Sequence, residues 1–327
     1  MKYRNIVNNC LVTLLTLIIF FLVGEFAVRL YLFHNTVYDI EMTRYAIGIK
    51  TNSDNPLIGH VQKPNSVARL MGVSVETNSD GFRDKEYPLL KGGKYRIIVL
   101  GDSLAFGWGV EQEDTFENIL ETELNKTRPT EIINFGAGNY NTEQEVNLFL
   151  EKGLKYRPDK VVVFYFINDA EIAQKKSRLW FLGHSRLITF YWSRIHTFIN
   201  NLFSTKSFRA YYADLYQENQ KGWIRTRKAF LLLKKVCREN DIELQVVLLP
   251  ELHNLENYPF KKEHKMVSTF LESNNISSLD LTPFFKNNEN PMQLWVAGDD
   301  AHPNKSAHRL IAEYTLNFIA KKERMKE

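Results

Sequence analysis

The stretch RIIVLGDSLAFG, residues 96–107, decides the fold of this chain. Its apolar first half predicts a buried strand over 96–100, and Gly101 lets the backbone turn sharply where that strand ends. Similar short, apolar segments are found at 131–134, 159–166, 244–250 and 277–281. Helical patterns separate them, at 115–125, 142–155, 223–240 and 263–275. Buried strands that alternate with helices predict five parallel strands in a three-layer α/β/α domain.

Composition narrows the class of protein. The 327 residues are 44% hydrophobic and 24% charged, which excludes a disordered or collagen-like chain. The net charge of +4 is too small over this length to indicate a nucleic-acid partner. Cys10 and Cys237 are too few for a disulfide framework or a zinc ligand set, and the sequence contains no dinucleotide fingerprint or phosphate-binding loop. We therefore expect no metal and no cofactor.

The N-terminal segment differs from the rest of the chain. Residues 6–23, IVNNCLVTLLTLIIFFLV, carry no charge and are long enough to span a bilayer. We interpret residues 1–33 as an uncleaved membrane anchor; the alternatives are a cleaved signal peptide, for which no small-x-small site follows, and a buried core helix. Lys2 and Arg4 precede the span, so the positive-inside rule places the N-terminus in the cytoplasm and the remaining chain outside it, in the periplasm where one exists.

Two further regions complete the domain organisation. Residues 34–94 form a connecting arm rich in turn residues, and residues 95–327 form the main domain. Within that domain, residues 172–222 are an insertion dense in aromatic residues. We expect the insertion to be a packed cap over the carboxyl edge of the sheet; a lid, or a surface resting on the membrane, is the alternative.

Loops at the carboxyl ends of parallel strands converge on one edge of the sheet, where sites are built. Ser103 follows the first strand and is a candidate nucleophile if a base reaches it, although such a serine also suits a helix cap. The second loop, NFGAGNYNT over 134–142, can aim a backbone N–H into a site or serve as a plain turn. Asn168 follows the third strand, where its amide can donate to an oxyanion or close an Asx turn. Near the C-terminus, GDDAHPNKSAH places His302 in a loop and His308 on a helix surface.

Each of these signals is weak alone, but together four blocks resemble the SGNH/GDSL hydrolase family. The blocks are Gly101-Asp102-Ser103, the loop at 136–139, Asn168-Asp169, and Asp299-Asp300-Ala301-His302. They occur in the family's order across about residues 95–320. The run NSDGFRDKEYP at 78–88 is similar to the lead-in of membrane-anchored bacterial members. The resemblance implies a flavodoxin-like fold and serine-dependent acyl transfer to water or to another hydroxyl.

The resemblance also implies roles for single residues. Ser103 matches the nucleophile and His302 the general base, and the backbone N–H of Ser103 and the side chain of Asn168 match oxyanion donors. The position of the usual oxyanion glycine falls on Asn139, with Gly138 one residue early, so either can supply the loop N–H. The family pattern D-x-x-H selects Asp299 to orient His302, with Asp300 as its rival.

The competing serine-hydrolase architecture fits less well. Its nucleophile elbow is G-x-S-x-G, whereas Ser103 is followed by Leu104 and Ala105, and here acid and base share one turn. We therefore expect an esterase that removes short acyl groups, most plausibly acetyl, from an envelope glycan or a small ester. The alternatives are an O-acyltransferase that hands an acyl group to an envelope polysaccharide, and a non-catalytic glycan-binding or scaffold protein.

Overall fold

The computed structural model describes residues 2–173, 185–203, 207–286, 288 and 290–321. The chain divides into two compact units. The smaller unit comprises Met1–Ile47 and Lys176–Thr205, and the larger comprises Gly48–Lys175 and Lys206–Glu327. The expected arm and the expected insertion are therefore each divided between the two units. Within the insertion, 174–184 and 204–206 lie outside the described residues.

The elements are numbered in chain order. The helices are α1 (Lys2–His34), α2 (Tyr38–Gly48), α3 (Ser103–Phe106), α4 (Phe116–Asn125), α5 (Thr142–Leu148), α6 (Arg186–Phe203), α7 (Phe208–Leu215), α8 (Lys221–Glu239), α9 (Lys261–Ser273), α10 (Thr282–Phe285) and α11 (Lys305–Ala320). The strands are β1 (Lys50–Asn52), β2 (His60–Gln62), β3 (Val67–Leu70), β4 (Val73–Glu76), β5 (Tyr95–Gly101), β6 (Thr130–Asn134), β7 (Lys160–Tyr165), β8 (Glu243–Leu248), β9 (Ser277–Asp280), β10 (Trp295–Ala297) and β11 (Asp300–Pro303).

The larger unit is built on one parallel sheet of five strands, in the order β6-β5-β7-β8-β9. Numbered from β5, this order is 2-1-3-4-5, which is the flavodoxin-like arrangement. Ile98 of β5 lies beside Ile133 of β6 and Val161 of β7. The predicted five-stranded parallel sheet is confirmed. The chain reverses direction across the sheet between β5 and β7, and a crevice forms beyond the carboxyl ends of strands at such a point.

Side-chain alternation along β5 builds a core on each face of the sheet. Ile98 and Leu100 belong to a cluster that includes residues of α5, α8 and α9. Ile97 and Val99 point the other way, into a cluster with residues of α4 and α11. Successive strand residues face opposite sides, so one unbroken apolar run serves both layers. Full burial of each such side chain contributes roughly 1.5–3 kcal/mol.

Residues 48–94 of the arm pack onto this domain. They contain the antiparallel pairs β1–β2 and β3–β4. Arg83 is buried, and its guanidinium donates to the backbone oxygens of Phe106 at 3.1 Å and Val110 at 2.6 Å. Five donors on one side chain can satisfy several carbonyls at once, which holds the segment after α3 against the arm.

The smaller unit contains α1, α2 and α6. Within α1, Tyr3–His34 is long and apolar enough to cross a membrane, and none of its most apolar window is buried in the protein. This exposure contradicts the alternative of a buried core helix. Length and composition alone suit an anchor and a signal sequence equally.

Candidate active site

The turn after β5 presents Ser103 at the carboxyl edge of the sheet. Asp102, rather than the serine, caps α3: its Oδ1 accepts the backbone N–H of Leu104 at 2.8 Å. The cap leaves the Ser103 hydroxyl free for other contacts. Gly101 is required by packing, because a Cβ there would lie 2.7 Å from the Cβ of Ala105 and 3.2 Å from the carbonyl oxygen of Phe164.

A histidine from the far end of the chain meets this serine. Ser103 Oγ lies 2.9 Å from His302 Nε2. That distance is within hydrogen-bond reach for a nucleophile and its base. Both residues were proposed from the sequence, almost 200 positions apart, and the fold brings them together. His302, expected in a loop, lies in β11.

The carboxylate on the other ring nitrogen belongs to Asp300. Its Oδ1 lies 2.5 Å from His302 Nδ1 and accepts the backbone N–H of the same histidine at 3.1 Å. Its Oδ2 accepts the indole N–H of Trp108 at 2.8 Å. Burial acts to raise the pKa of Asp300, but the hydrogen bonds and charge of His302, together with Trp108, leave that pKa below its ordinary value.

Asp299, preferred in the sequence analysis, occupies a different environment. It is exposed in the turn before β11, whereas Asp300 is 3% exposed. Asp300 and His302 are alternate residues of β11, so their side chains share one face of the strand. The geometry therefore corrects the preference: the carboxylate that contacts His302 is the rival, Asp300.

The second loop lies directly against the nucleophile turn. Ala137 donates its N–H to the carbonyl of Gly101 at 3.2 Å. A Cβ on Gly136 would lie 2.4 Å from the backbone nitrogen of Phe106, so only glycine permits this approach. Asn139 adopts the left-handed conformation with φ of 65°. Gly138 and Asn139 thus follow a segment fixed to the turn that carries Ser103.

Side chains of the arm form hydrogen bonds with the same loop. These contacts were not predicted from the sequence. Gln62 Nε2 donates to the carbonyl of Gly136 at 2.9 Å, and His60 Nε2 lies 3.1 Å from the carbonyl of Gly138. Lys50 Nζ donates to Asn139 Oδ1 at 2.7 Å. The only sequence signal for these contacts was the polar character of the arm, which gave no indication of its partner.

Asn168 follows β7 on a short 3-10 turn, Ile167–Ala170. Its Nδ2 donates to Asp102 Oδ2 at 3.0 Å. An amide nitrogen carries two hydrogens, so this contact leaves a second donor. The third predicted loop therefore reaches the residue next to Ser103.

Buried carboxyls lie behind the site. Asp102, Glu145 and Asp169 are each at most 1% exposed. Burial raises the pKa of all three, and the charges of its neighbours add to the increase at Glu145 and Asp169. Burial and the mutual repulsion of these carboxylates therefore favour the protonated form of Glu145 and of Asp169.

His308 corrects another expectation. The sequence analysis placed it on a helix surface, but it is fully buried and its Nδ1 accepts the backbone N–H of Phe116 at 3.0 Å. Burial lowers its pKa to about 3, so it is a neutral structural residue that caps the start of α4. Among the described residues, no group of three or more His, Cys, Asp or Glu side chains is arranged to hold a metal ion.

The chain is similar in sequence to one protein family. A family model described as "GDSL-like Lipase/Acylhydrolase family" matches residues 99–310. No curated protein matches the chain by sequence.

Similar solved structures include a lipolytic protein of the G-D-S-L family from Desulfitobacterium hafniense, with 15% identity, 68% of this chain and 99% of that chain covered, and a TM-score of 0.45. A catalytic mutant of the acetylxylan esterase Axe2 from Geobacillus stearothermophilus has 14% identity, with 72% and 100% covered and a TM-score of 0.46. A lipase/acylhydrolase from Enterococcus faecalis has 13% identity, with 70% and 99% covered and a TM-score of 0.45. Because all three TM-scores are below 0.5, the family assignment rests on the match between the sequence and the family model.

Proposed function

This chain belongs to the GDSL-like lipase/acylhydrolase family, and from that premise we propose that it removes short acyl groups, above all acetyl, from a cell-envelope glycan or a small ester. Membership makes the chain a hydrolase of ester bonds; the acyl group and the glycan are the proposal. The observation that carries it is the 2.9 Å contact between Ser103 Oγ and His302 Nε2, with Asp300 on the other ring nitrogen.

In the proposed first step, Ser103 Oγ attacks the ester carbonyl carbon while His302 Nε2 takes the hydroxyl proton. Asp300 accepts a hydrogen bond from Nδ1–H, which keeps Nε2 available as a base and stabilises the imidazolium. The imidazolium then returns the proton to the leaving alcohol, and an acyl-serine remains. Water then attacks the acyl carbon while His302 Nε2 takes one of its protons. The bond between the acyl carbon and Ser103 Oγ breaks, the carboxylic acid leaves, and the imidazolium returns the proton to Ser103 Oγ.

Negative charge on the tetrahedral oxygen needs donors. We assign the backbone N–H of Ser103, the loop N–H of Gly138 or Asn139, and the side-chain amide of Asn168. Loss of one such donor commonly costs about 3 kcal/mol, or roughly a hundredfold in rate. The contacts that support this assignment are Ala137 on the Gly101 carbonyl and Asn168 on Asp102.

The envelope substrate is inferred from the anchor. α1 provides a span with Lys2 and Arg4 before it, so we propose that the N-terminus is cytoplasmic and the larger unit extracytoplasmic. A C-terminal alkaline phosphatase fusion is then active and a C-terminal green fluorescent fusion dark. The opposite pair of results would reverse the orientation.

The enzymatic test uses the full chain in detergent and p-nitrophenyl esters of two, four and eight carbons. We expect the acetate ester to be the best substrate and Ser103→Ala to lower kcat by about 10⁴-fold or more. Ser306→Ala is the matched control, because Ser306 is exposed at the start of α11, and its kcat stays at the wild-type value. Wild-type turnover in Ser103→Ala contradicts the nucleophile assignment.

The same assay separates hydrolysis from acyl transfer. An esterase releases p-nitrophenol at a steady rate and produces acetate. A transferase releases about one equivalent, then slows until a sugar hydroxyl is supplied. Acetate found on an added oligosaccharide, with little free acetate, would replace the esterase proposal by the O-acyltransferase.

A further inference from the structure

The length of the uncharged segment of α1 indicates where the membrane surface meets the protein. Residues 5–24 carry no charge and are bounded by Arg4 and Glu25. At about 1.5 Å per residue these 20 residues rise about 30 Å, which is the thickness of the hydrocarbon core. Given the anchor of the proposed function, Glu25 lies at the level where hydrocarbon gives way to headgroups, and the last turns of α1 extend beyond it.

Glu25 also holds the start of α6. Its carboxylate accepts the hydroxyl of Ser185 at 2.8 Å and the backbone N–H groups of Arg186 at 3.0 Å and Leu187 at 2.9 Å. A carboxylate at a helix N-terminus satisfies donors that have no partner within the helix and complements its dipole. These bonds fix the first turn of α6 at the height of Glu25.

Packing of side chains reinforces that position. A Cβ on Gly24 would lie 3.2 Å from Leu187 Cδ2, so the small residue admits the leucine against α1. Two turns further along α1 and about one turn further along α6, the rings of Tyr31 and Phe190 meet edge to face at 5.9 Å. Glu25, Gly24 and Tyr31 of α1 thus contact residues within the first five of α6.

The rest of α6 presents large apolar side chains to its surroundings. Of those whose side chains the structure describes, each is between 42% and 67% exposed. This apolar stripe consists of Tyr191, Trp192, Ile195, Phe198, Ile199 and Leu202. At about 100° per residue, the spacing i, i+4, i+7, i+11 from Tyr191 places the stripe on one side of the helix. Ser193 lies on the opposite side.

We propose that α6 is an interfacial helix whose apolar stripe lies in the outer leaflet of the membrane that α1 crosses. The inference rests on the proposed anchor. Lipid is the occupant because the stripe begins beside Phe190, which packs against Tyr31 two turns beyond Glu25, and continues the exposed apolar surface of α1. A helix with an apolar face, including Trp and Tyr, binds at the boundary between headgroups and acyl chains.

The test places an environment-sensitive fluorophore on single cysteines of the full chain in vesicles that contain doxyl-labelled lipid. Cys10→Ser provides the background, because Cys237 is buried and does not react. The introduced sites are Phe198→Cys on the stripe and Ser193→Cys as the matched control. We expect quenching by shallow doxyl lipid to be at least threefold stronger at position 198. Leu202→Cys repeats the measurement should labelling at 198 disturb the fold.

A third site separates this inference from the anchor. Leu17→Cys lies in the middle of α1 and is quenched by deep doxyl lipid if α1 spans the bilayer. Quenching at 17 with equal quenching at 193 and 198 overturns the interfacial helix and leaves the anchor intact. No quenching at 17 overturns both. Disulfide formation between two chains at position 198, without lipid quenching, identifies a second copy as the occupant and also overturns the proposal.

Discussion

The hydrogen bonds around Asp300 predict a rescue between two substitutions. In Asp300→Asn the introduced amide has one acceptor and one donor where the carboxylate had two acceptors. One position faces Nδ1 and the backbone N–H of His302; the other faces the indole N–H of Trp108. Trp108 can only donate, so the amide has to choose between them.

Each orientation has a different consequence for the base. If the amide oxygen faces Trp108, its NH₂ group donates to His302 Nδ1 and opposes the backbone N–H of His302, and the ring proton moves to Nε2. That tautomer cannot accept the proton of Ser103. If the oxygen faces His302, the useful tautomer is kept, but the NH₂ group opposes the indole N–H at a site where the contact is 2.8 Å.

The magnitudes follow from these contacts. Loss of the charge and the wrong tautomer together lower kcat by about 10⁴-fold for Asp300→Asn. A buried donor facing another donor costs about 1–3 kcal/mol, and 1.4 kcal/mol is a factor of ten. Trp108→Phe removes that opposition and frees the amide to keep the useful tautomer. We therefore expect Asp300→Asn combined with Trp108→Phe to have a kcat about tenfold higher than Asp300→Asn alone.

The assay is kcat on p-nitrophenyl acetate, with near-ultraviolet circular dichroism to confirm that each variant folds. Trp295→Phe is the matched control, because its indole N–H donates to the carbonyl of Leu252 and not to Asp300. It should not rescue Asp300→Asn. Asp299→Asn, at the exposed neighbour, should stay within about twofold of wild type. A double variant no faster than Asp300→Asn refutes the argument from amide orientation, and a collapse of Asp299→Asn refutes the role of Asp300.

Two further predictions concern stability. Gly136→Ala places a Cβ 2.4 Å from the backbone nitrogen of Phe106 and should lower the free energy of unfolding by about 1–3 kcal/mol, whereas Gly298→Ala, with no atom within 4 Å, should leave Tm unchanged; equal Tm values for the two would be the contrary result. Burial raises the pKa of Glu145, so folding favours its protonated form. The contribution of this carboxyl to the free energy of unfolding is complete below the pKa of the unfolded chain, about 4.3, and declines as pH rises towards the folded pKa. Glu145→Gln should therefore raise Tm at pH 8 and change it little at pH 4, as followed by thermal denaturation, while the exposed Glu313→Gln should give no such difference; a Tm gain independent of pH would contradict the assigned protonation.

Local pattern was sufficient for the elements of the catalytic domain. The apolar runs at 96–100 and 159–166 became β5 and β7, because a strand buried on both faces needs an unbroken apolar sequence. The helix over 142–155 was predicted longer than α5, since the chain continues there as a π-helical turn, Phe149–Gly153, and then a 3-10 turn. Gly101 and Gly136 were recognisable as turn residues, but not the neighbours that require them to be glycine.

Other features depended on which segments the fold brings together. Ser103 was a candidate nucleophile because it follows a strand of the predicted parallel sheet, and the role of His302 was implied by the resemblance; the fold brings the two together. The choice of Asp300 over Asp299 depended on the pleat of β11, since side chains two residues apart share a face of a strand. Spacing alone does not specify that pleat. Trp108 meets Asp300 across 192 positions, and Lys50 meets Asn139 across 89. Such contacts leave no periodicity in the sequence, because each partner satisfies the local rules of its own segment, and only the packed chain determines which polar groups meet.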